Sequence, residues 1–298
     1  MDFGPILPAA LLALGLLGVL LTDLIGKGRQ PEVPVIVALA SLAAAAFAAI
    51  FGHSSDDVVL GVLKVDGFGV TFTVFCCVTG FFTILATMRG EAFRRPGGEF
   101  LVLILSAVLG MSILSQAVDL VTLYLAFETV SIPSYVLVGM RRADRKANEA
   151  SMKYVLFGAV SSGIMLYGLS MIVGLSGGTS LEAVSAAVAG GVGSQPMFIA
   201  AAVMIFAGFA FKISAVPFHF WSPDVYAGAP ASVGGFLAVA SKAAGFAALV
   251  RVMGVMSPAV PDAADPLTTF AYAGDPLILS VTLAALLSMT IGNLAALR

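Results

Sequence analysis

Apolar stretches about as long as a bilayer is thick recur along the chain, with only short polar connections between them. A hydrocarbon core of ~30 Å needs about 20 apolar residues in a helix. By that length the spans fall near 6–25, 33–51, 68–88, 99–115, 119–139, 152–174, 197–227, 231–252 and 277–296. Helices are the required element, because lipid cannot satisfy open strand edges and the sequence lacks the alternating pattern of a membrane barrel. Charged residues are only 11% of the 298, against roughly 25% in soluble domains, so a solvated surface cannot be built. The expected fold is all-α and polytopic, with about nine transmembrane helices, the seventh interrupted. The first run has no basic leader or small-residue cleavage site and reads as a retained span.

Lys and Arg in the connections orient these crossings. One alternate set holds Lys27 and Arg29; Arg89, Arg94 and Arg95; Arg141, Arg142, Arg145 and Lys146; and Arg298. The opposite set holds only Lys64 and Arg251, beside Asp56, Asp57, Asp66, Asp262, Asp265 and Asp275. The N-terminus is therefore expected outside and the loop 141–149 in the cytoplasm, placing the protein as a multi-pass component of a plasma membrane.

Several function classes drop out. A net charge of -2 without a basic run gives no footprint for nucleic acid. Cys76 and Cys77 are adjacent in an apolar run, a spacing that suits packing rather than a disulfide or a metal. No metal, haem, dinucleotide or Walker-type motif is present, so no cofactor and no redox chemistry are expected in this chain itself.

Three ionisable groups remain at mid-depth: Glu128 in the fifth span, Lys212 in the seventh and Lys242 in the eighth. Each costs ~2.5–3.5 kcal/mol on insertion scales, and such groups normally face a bundle interior and mark an ion path. The competing reading is a buried Glu–Lys bridge that fixes packing, but a second lysine without an acidic partner is poor glue. In "FKISAVPFHFWSPDVY" Pro217 removes the partner of the Ile213 carbonyl, next to Lys212. Pro133 does the same for Thr129, next to Glu128. Opened carbonyls beside ionisable groups can hold ordered water, through which protons hop.

His219 follows the break and is either a proton relay or a packing residue. Lys153 opens the sixth helix and can snorkel to water. Trp221 and Tyr226 suit an interfacial aromatic belt, Gly158 and Ser162 a close helix contact, and His53 needs no role.

The segments "ASMKYVLFGAVSSGIMLYGLSMI", "FKISAVPFHFWSPDVYAGAP", "VASKAAGFAALVRVM" and "LSMTIGNLAAL" closely resemble the subunit N family of bacterial NADH-quinone oxidoreductase, respiratory complex I. The likeness extends to subunits of multisubunit Na+/H+ (Mrp-like) antiporters. It implies proton translocation coupled to NADH oxidation and quinone reduction in other subunits, which hold FMN, iron–sulfur clusters and quinone. Partners would be the other membrane and peripheral subunits of complex I. It assigns the fifth-helix glutamate to Glu128, the lysine at the seventh-helix break to Lys212, the eighth-helix lysine to Lys242, and lesser roles to Lys153 and His219. It also implies inverted five-helix repeats: three leading helices over 1–98, a first repeat over 99–253 (spans four to eight), and over 254–298 a loop and the start of an incomplete second repeat. The chain stops where such sequences continue, so a fragment or truncated reading frame is expected. A stand-alone antiporter subunit and a non-transporting scaffold are the alternatives.

Overall fold

The computed structural model describes residues 4–26, 32–52, 57–89, 97–256 and 276–296. Lys27, Arg29, His53, Asp56, Arg94, Arg95, Asp262, Asp265, Asp275 and Arg298 lie outside the described residues. The helices are α1 (Leu7–Gly26), α2 (Glu32–Phe51), α3 (Gly67–Arg89), α4 (Gly98–Gln116), α5 (Leu120–Val138) and α6 (Arg145–Ser176). After these come α7 (Leu181–Ala189), α8 (Pro196–Ile213), α9 (Ser222–Gly228), α10 (Ala231–Phe236), α11 (Lys242–Met256) and α12 (Pro276–Ala296). Among the described residues, nine helical segments are long and apolar enough to cross a membrane, with α10, α11 and the turn joining them counted as one.

The α4 helix is the axis of the bundle: α1, α2, α3, α5 and α11 all pack against it. Its apolar and small residues are accordingly buried on every side. The outward faces remain apolar. Leu14, Phe47, Phe82, Leu125 and Val160 are each at least 60% exposed, a surface that water would not tolerate and lipid does.

Alternate connections gather at opposite ends, as single crossings demand. At one end β1 (Asp57–Val59) and β2 (Leu63–Val65) form an antiparallel hairpin. Val118 N–H donates to the Val62 carbonyl at 2.9 Å, and Leu120 N–H to the Thr179 carbonyl at 2.8 Å. At the other end Arg141 Nη2 donates to the Gly228 carbonyl at 3.0 Å, and Lys153 Nζ lies 2.8 Å from Asp224.

In its helices and connections the structure differs from the sequence reading in four places. The sixth helix starts at Arg145, where the Asp144 carboxylate caps it by accepting from Lys146 N–H at 2.9 Å. Its first turns are polar, so apolar length alone detects only the lipid-spanning part. Lys153 thus lies two turns inside the helix instead of opening it. Arg251 belongs to α11 and not to a loop. The hairpin and α7 fall in connections too short or too mixed for a period to register.

Candidate functional site

The α8 helix ends one residue after Lys212, where Ser214 adopts a left-handed conformation (φ 59°). Lys212 is buried, 2% exposed. Its ammonium crosses to α5, donating to Ser131 Oγ at 2.9 Å and lying 5.0 Å from the Phe127 ring centre. The Ser131 hydroxyl in turn donates to the Phe127 carbonyl at 2.8 Å.

Glu128 precedes Ser131 by three residues, so both lie on one face of α5. Ser162 of α6 donates to the Glu128 carboxylate in a short hydrogen bond, and Tyr124 OH lies 3.0 Å from Ser162 Oγ. A hydroxyl has one hydrogen. Ser162 spends it on Glu128, so Tyr124 is the donor of that pair. Gly158, one turn earlier on α6, lets the helices approach: a Cβ there would run into the Tyr135 ring of α5. The close contact expected of Gly158 and Ser162 is thus present, and Ser162 also carries a polar function. Among the described residues, Glu128 and Lys212 do not pair within 4.0 Å.

Lys242 follows a π-helical turn, Leu237–Ser241, that joins α10 to α11. Such turns occur frequently at functional sites, and no sequence period announces them. The Lys242 ammonium lies 5.5 Å from the Tyr226 ring centre. Gly245, on the same face one turn on, packs against the seventh span. A Cβ there would come within 3.2 Å of both Ile213 Cγ2 and Lys212 Cγ. The bundle therefore brings Lys212 and Lys242 to one α8–α11 interface, with Glu128 adjoining through α5.

The break is held by protein groups. Trp221 Nε1–H donates to the Phe211 carbonyl at 3.1 Å, and Val216 N–H donates to Ser288 Oγ of α12 at 2.9 Å. Trp221 is 2% exposed and stacks on Tyr154 with ring centres 4.4 Å apart. This overturns its expected place in an interfacial belt, because the opened backbone offers the indole N–H an internal acceptor. Tyr226 likewise turns inward to Lys242. The α5 helix runs through Pro133 without interruption. Ser214 Oγ and His219 Nδ1, between α8 and α9, and Tyr226 OH, within α9, are buried without a hydrogen-bond partner.

Lys153 reaches this segment from α6, with Nζ 2.8 Å from both Glu149 and Asp224. At the hairpin end, Arg251 grips Asp66 with Nη1 at 2.9 Å and Nη2 at 2.5 Å, while Nε donates to the Ser115 carbonyl at 2.6 Å. Partial burial alone would raise the Asp66 carboxyl, but the Arg251 and Gly69 hydrogen bonds outweigh it and hold it below its usual range. Cys76 and Cys77 are buried free thiols. Among the described residues, no group of three or more His, Cys, Asp or Glu side chains is placed to hold a metal.

Sequence reading missed Ser131, Ser162, Trp221, Gly245 and Asp224 as parts of the site. A signal existed for the first two: serines near Glu128 or on the small-residue face of α6 are hydroxyls at membrane depth.

Residues 117–298 match a family model described as NADH:quinone oxidoreductase/Mrp antiporter, TM. NADH-quinone oxidoreductase subunit N of Anaeromyxobacter sp. is 39% identical, over 97% of this chain and 58% of its own length. Among solved structures, a chain of respiratory complex I from Thermus thermophilus with bound Aureothin superposes with a TM-score of 0.76 at 30% identity, over 98% of this chain and 58% of that one. A chain of the Mrp complex from Dietzia sp. shares the fold, with a TM-score of 0.70 at 21% identity over 86% of this chain and 49% of that one. The chain thus spans somewhat over half the length of the curated relatives it matches.

Proposed function

The chain belongs to the NADH:quinone oxidoreductase/Mrp antiporter transmembrane family, and from that premise we propose that it carries protons as a membrane subunit of NADH-quinone oxidoreductase. Electron transfer from NADH to quinone in other subunits supplies the driving force, and the FMN, iron–sulfur clusters and quinone belong to those partners. The complex sits in a bacterial plasma membrane. The N-terminus faces outward and residues 141–149 face the cytoplasm, a reading supported by the basic residues Arg141, Arg142, Arg145 and Lys146 on one end of the bundle. Lipid-accessible thiol reagents would not test this, but a membrane-impermeant one would. Asn148→Cys should react only from the cytoplasmic side and Gly61→Cys only from outside, each in a background lacking Cys76 and Cys77. The division into leading helices 1–98, a first repeat 99–253 and a following segment 254–298 belongs to the same proposal.

The carrying observation is Lys212, a buried lysine at the end of a broken helix whose hydrogen-bond acceptor is a neutral hydroxyl. Two unit charges 4 Å apart attract by about 4 kcal/mol at an effective dielectric of about 20. At twice that distance the attraction is about 2 kcal/mol, so a lysine held off Glu128 parts with its proton more readily than one in direct contact. Glu128 is then the charge that tunes Lys212, and Lys242, at the same interface, is the next acceptor. His219, with an unpaired buried Nδ1, serves entry from the cytoplasmic end, and Lys153 anchors the segment that carries it.

A Na+/H+ antiporter subunit would use the same residues. The greater likeness to the quinone-linked relative favours the first reading over that one and over a passive scaffold. In native membrane vesicles energised with NADH, Lys212→Ala and Glu128→Ala in the complete protein should each lower protons moved per electron by about ten-fold or more. Near-normal stoichiometry in both would end the proposal. Replacing His219 by Leu should slow pumping less, with the deficit depending on pH.

A further inference from the structure

Glu128 and Lys212 are each hydrogen-bonded to a serine, and the direction of those bonds says what the serines are for. Ser131 donates its hydrogen to the Phe127 carbonyl and so offers Lys212 only lone pairs. Ser162 donates its hydrogen to Glu128 and accepts from Tyr124. Each charged group is therefore served by a neutral hydroxyl on a facing helix or a neighbouring turn. Lys212, Ser131 and Ser162 are buried, at 2%, 0% and 6% exposure, and Glu128 is half-buried.

We propose that Ser131 and Ser162 are positioning residues that keep Glu128 and Lys212 from closing into a direct ion pair: Ser131 satisfies Lys212 in both of its protonation states and Ser162 holds Glu128 toward α6. A hydroxyl can do what a carboxylate cannot. It accepts from the ammonium and, once Nζ has lost its proton, rotates its own hydrogen from the Phe127 carbonyl to donate to the neutral amine. The exchange needs no movement of helix backbone, only a turn of one O–H. Ser162 meanwhile holds one of the two Glu128 oxygens toward α6. Tyr124 fixes Ser162 in that role from the preceding turn of α5. The proposal rests on the proton-carrying reading above and adds to it the reason the pair does not close.

The test compares hydroxyl loss with hydroxyl retention in the complete protein, in native vesicles, after the amount of assembled protein has been measured. Ser131→Ala should lower proton translocation on the order of ten-fold, while Ser131→Thr, which keeps the O–H, should stay within about two-fold of the parent. Ser162→Ala and Ser162→Thr should divide the same way. If Ser131→Ala does not accumulate, the Ser162 pair decides by the same thresholds. Alanine variants that pump within about two-fold of the parent overturn the inference, and so do threonine variants as impaired as the alanines, which would mean volume and not hydroxyl chemistry matters. Lys212→Ala run in parallel separates the two levels. A silent Ser131→Ala beside a dead Lys212→Ala sinks only this inference, whereas a fully active Lys212→Ala sinks the proton-carrying reading itself.

Discussion

The indole N–H of Trp221 and the carbonyl oxygen of Phe211 meet at 3.1 Å, joining the two sides of the helix break across ten residues. Phe211 immediately precedes Lys212, so the same contact sets the backbone from which the lysine departs. Tyr154 stacks on the indole, at an interplanar angle of 13°. Trp221→Phe keeps most of the stacking and deletes the donor. It should destabilise the protein by about 1–3 kcal/mol, measured as a lowered midpoint in detergent unfolding. It should also slow proton translocation beyond what the lost protein amount accounts for.

Gly245 bears on the lysine pair through space alone. A methyl group there would press on Ile213 and Lys212 at 3.2 Å, so overpacking opposes the helix gain and should leave Gly245→Ala less stable than an unhindered Gly→Ala change by about 1 kcal/mol or more. The matching control is Gly254→Ala on the same helix, where an added Cβ meets nothing within 4 Å. That variant should be neutral or slightly stabilising, as Ala favours helix over Gly. Thermal unfolding of the two purified variants checks the contrast.

Asp66 and Arg251 tie the start of α3 to the far end of the lysine-bearing α11. Because the folded carboxyl sits below its usual range, its contribution to stability is complete above the unfolded value, about 4. It disappears as pH falls through the folded value. Unfolding midpoints should therefore stay level from neutral pH down to about 5 and decline only below about 4. Asp66→Asn should flatten that acid limb. Arg251→Ala should cost about 2 kcal/mol or more at neutral pH, by leaving a carboxylate partly buried without its cation.

Lys153 and Asp224 join α6 to the short helix after the break. Reversing either charge alone should impair pumping, since α9 carries Tyr226 toward Lys242. Exchanging both, Lys153→Asp with Asp224→Lys, should recover part of the rate. A double variant no better than the singles would show that the contact is not what matters at these positions.

Much of this was readable in the residues. Bilayer-length apolar runs gave every crossing to within a few residues, except where α6 extends into polar sequence that no lipid selects against. Lys212 stood out because a cation in hydrocarbon demands a reason. Its break was legible too: Pro217 frees the Ile213 carbonyl, and the helix stops at Ile213. What could not be read was who answers the broken backbone. The Phe211 carbonyl accepts from Trp221, ten positions on, and the Val216 N–H donates to Ser288, more than seventy positions on, and no local spacing announces either partner. Nor could spacing reveal that Glu128 and Lys212 stop short of contact, because that depends on how α5, α6 and α8 meet. Such distances are decided by three-helix packing.

The π turn at Leu237–Ser241 has a consequence for everything that follows it. Accommodating one residue more than a regular turn shifts the azimuth of the downstream helix by about 100°. Lys242 then looks toward Tyr226, Gly245 toward Lys212, and Arg251 toward Asp66. One supernumerary residue thus acts as a shared phase setting for three contacts spread over more than two turns. Were that turn to relax into ordinary α geometry, all three would be swung off their targets together.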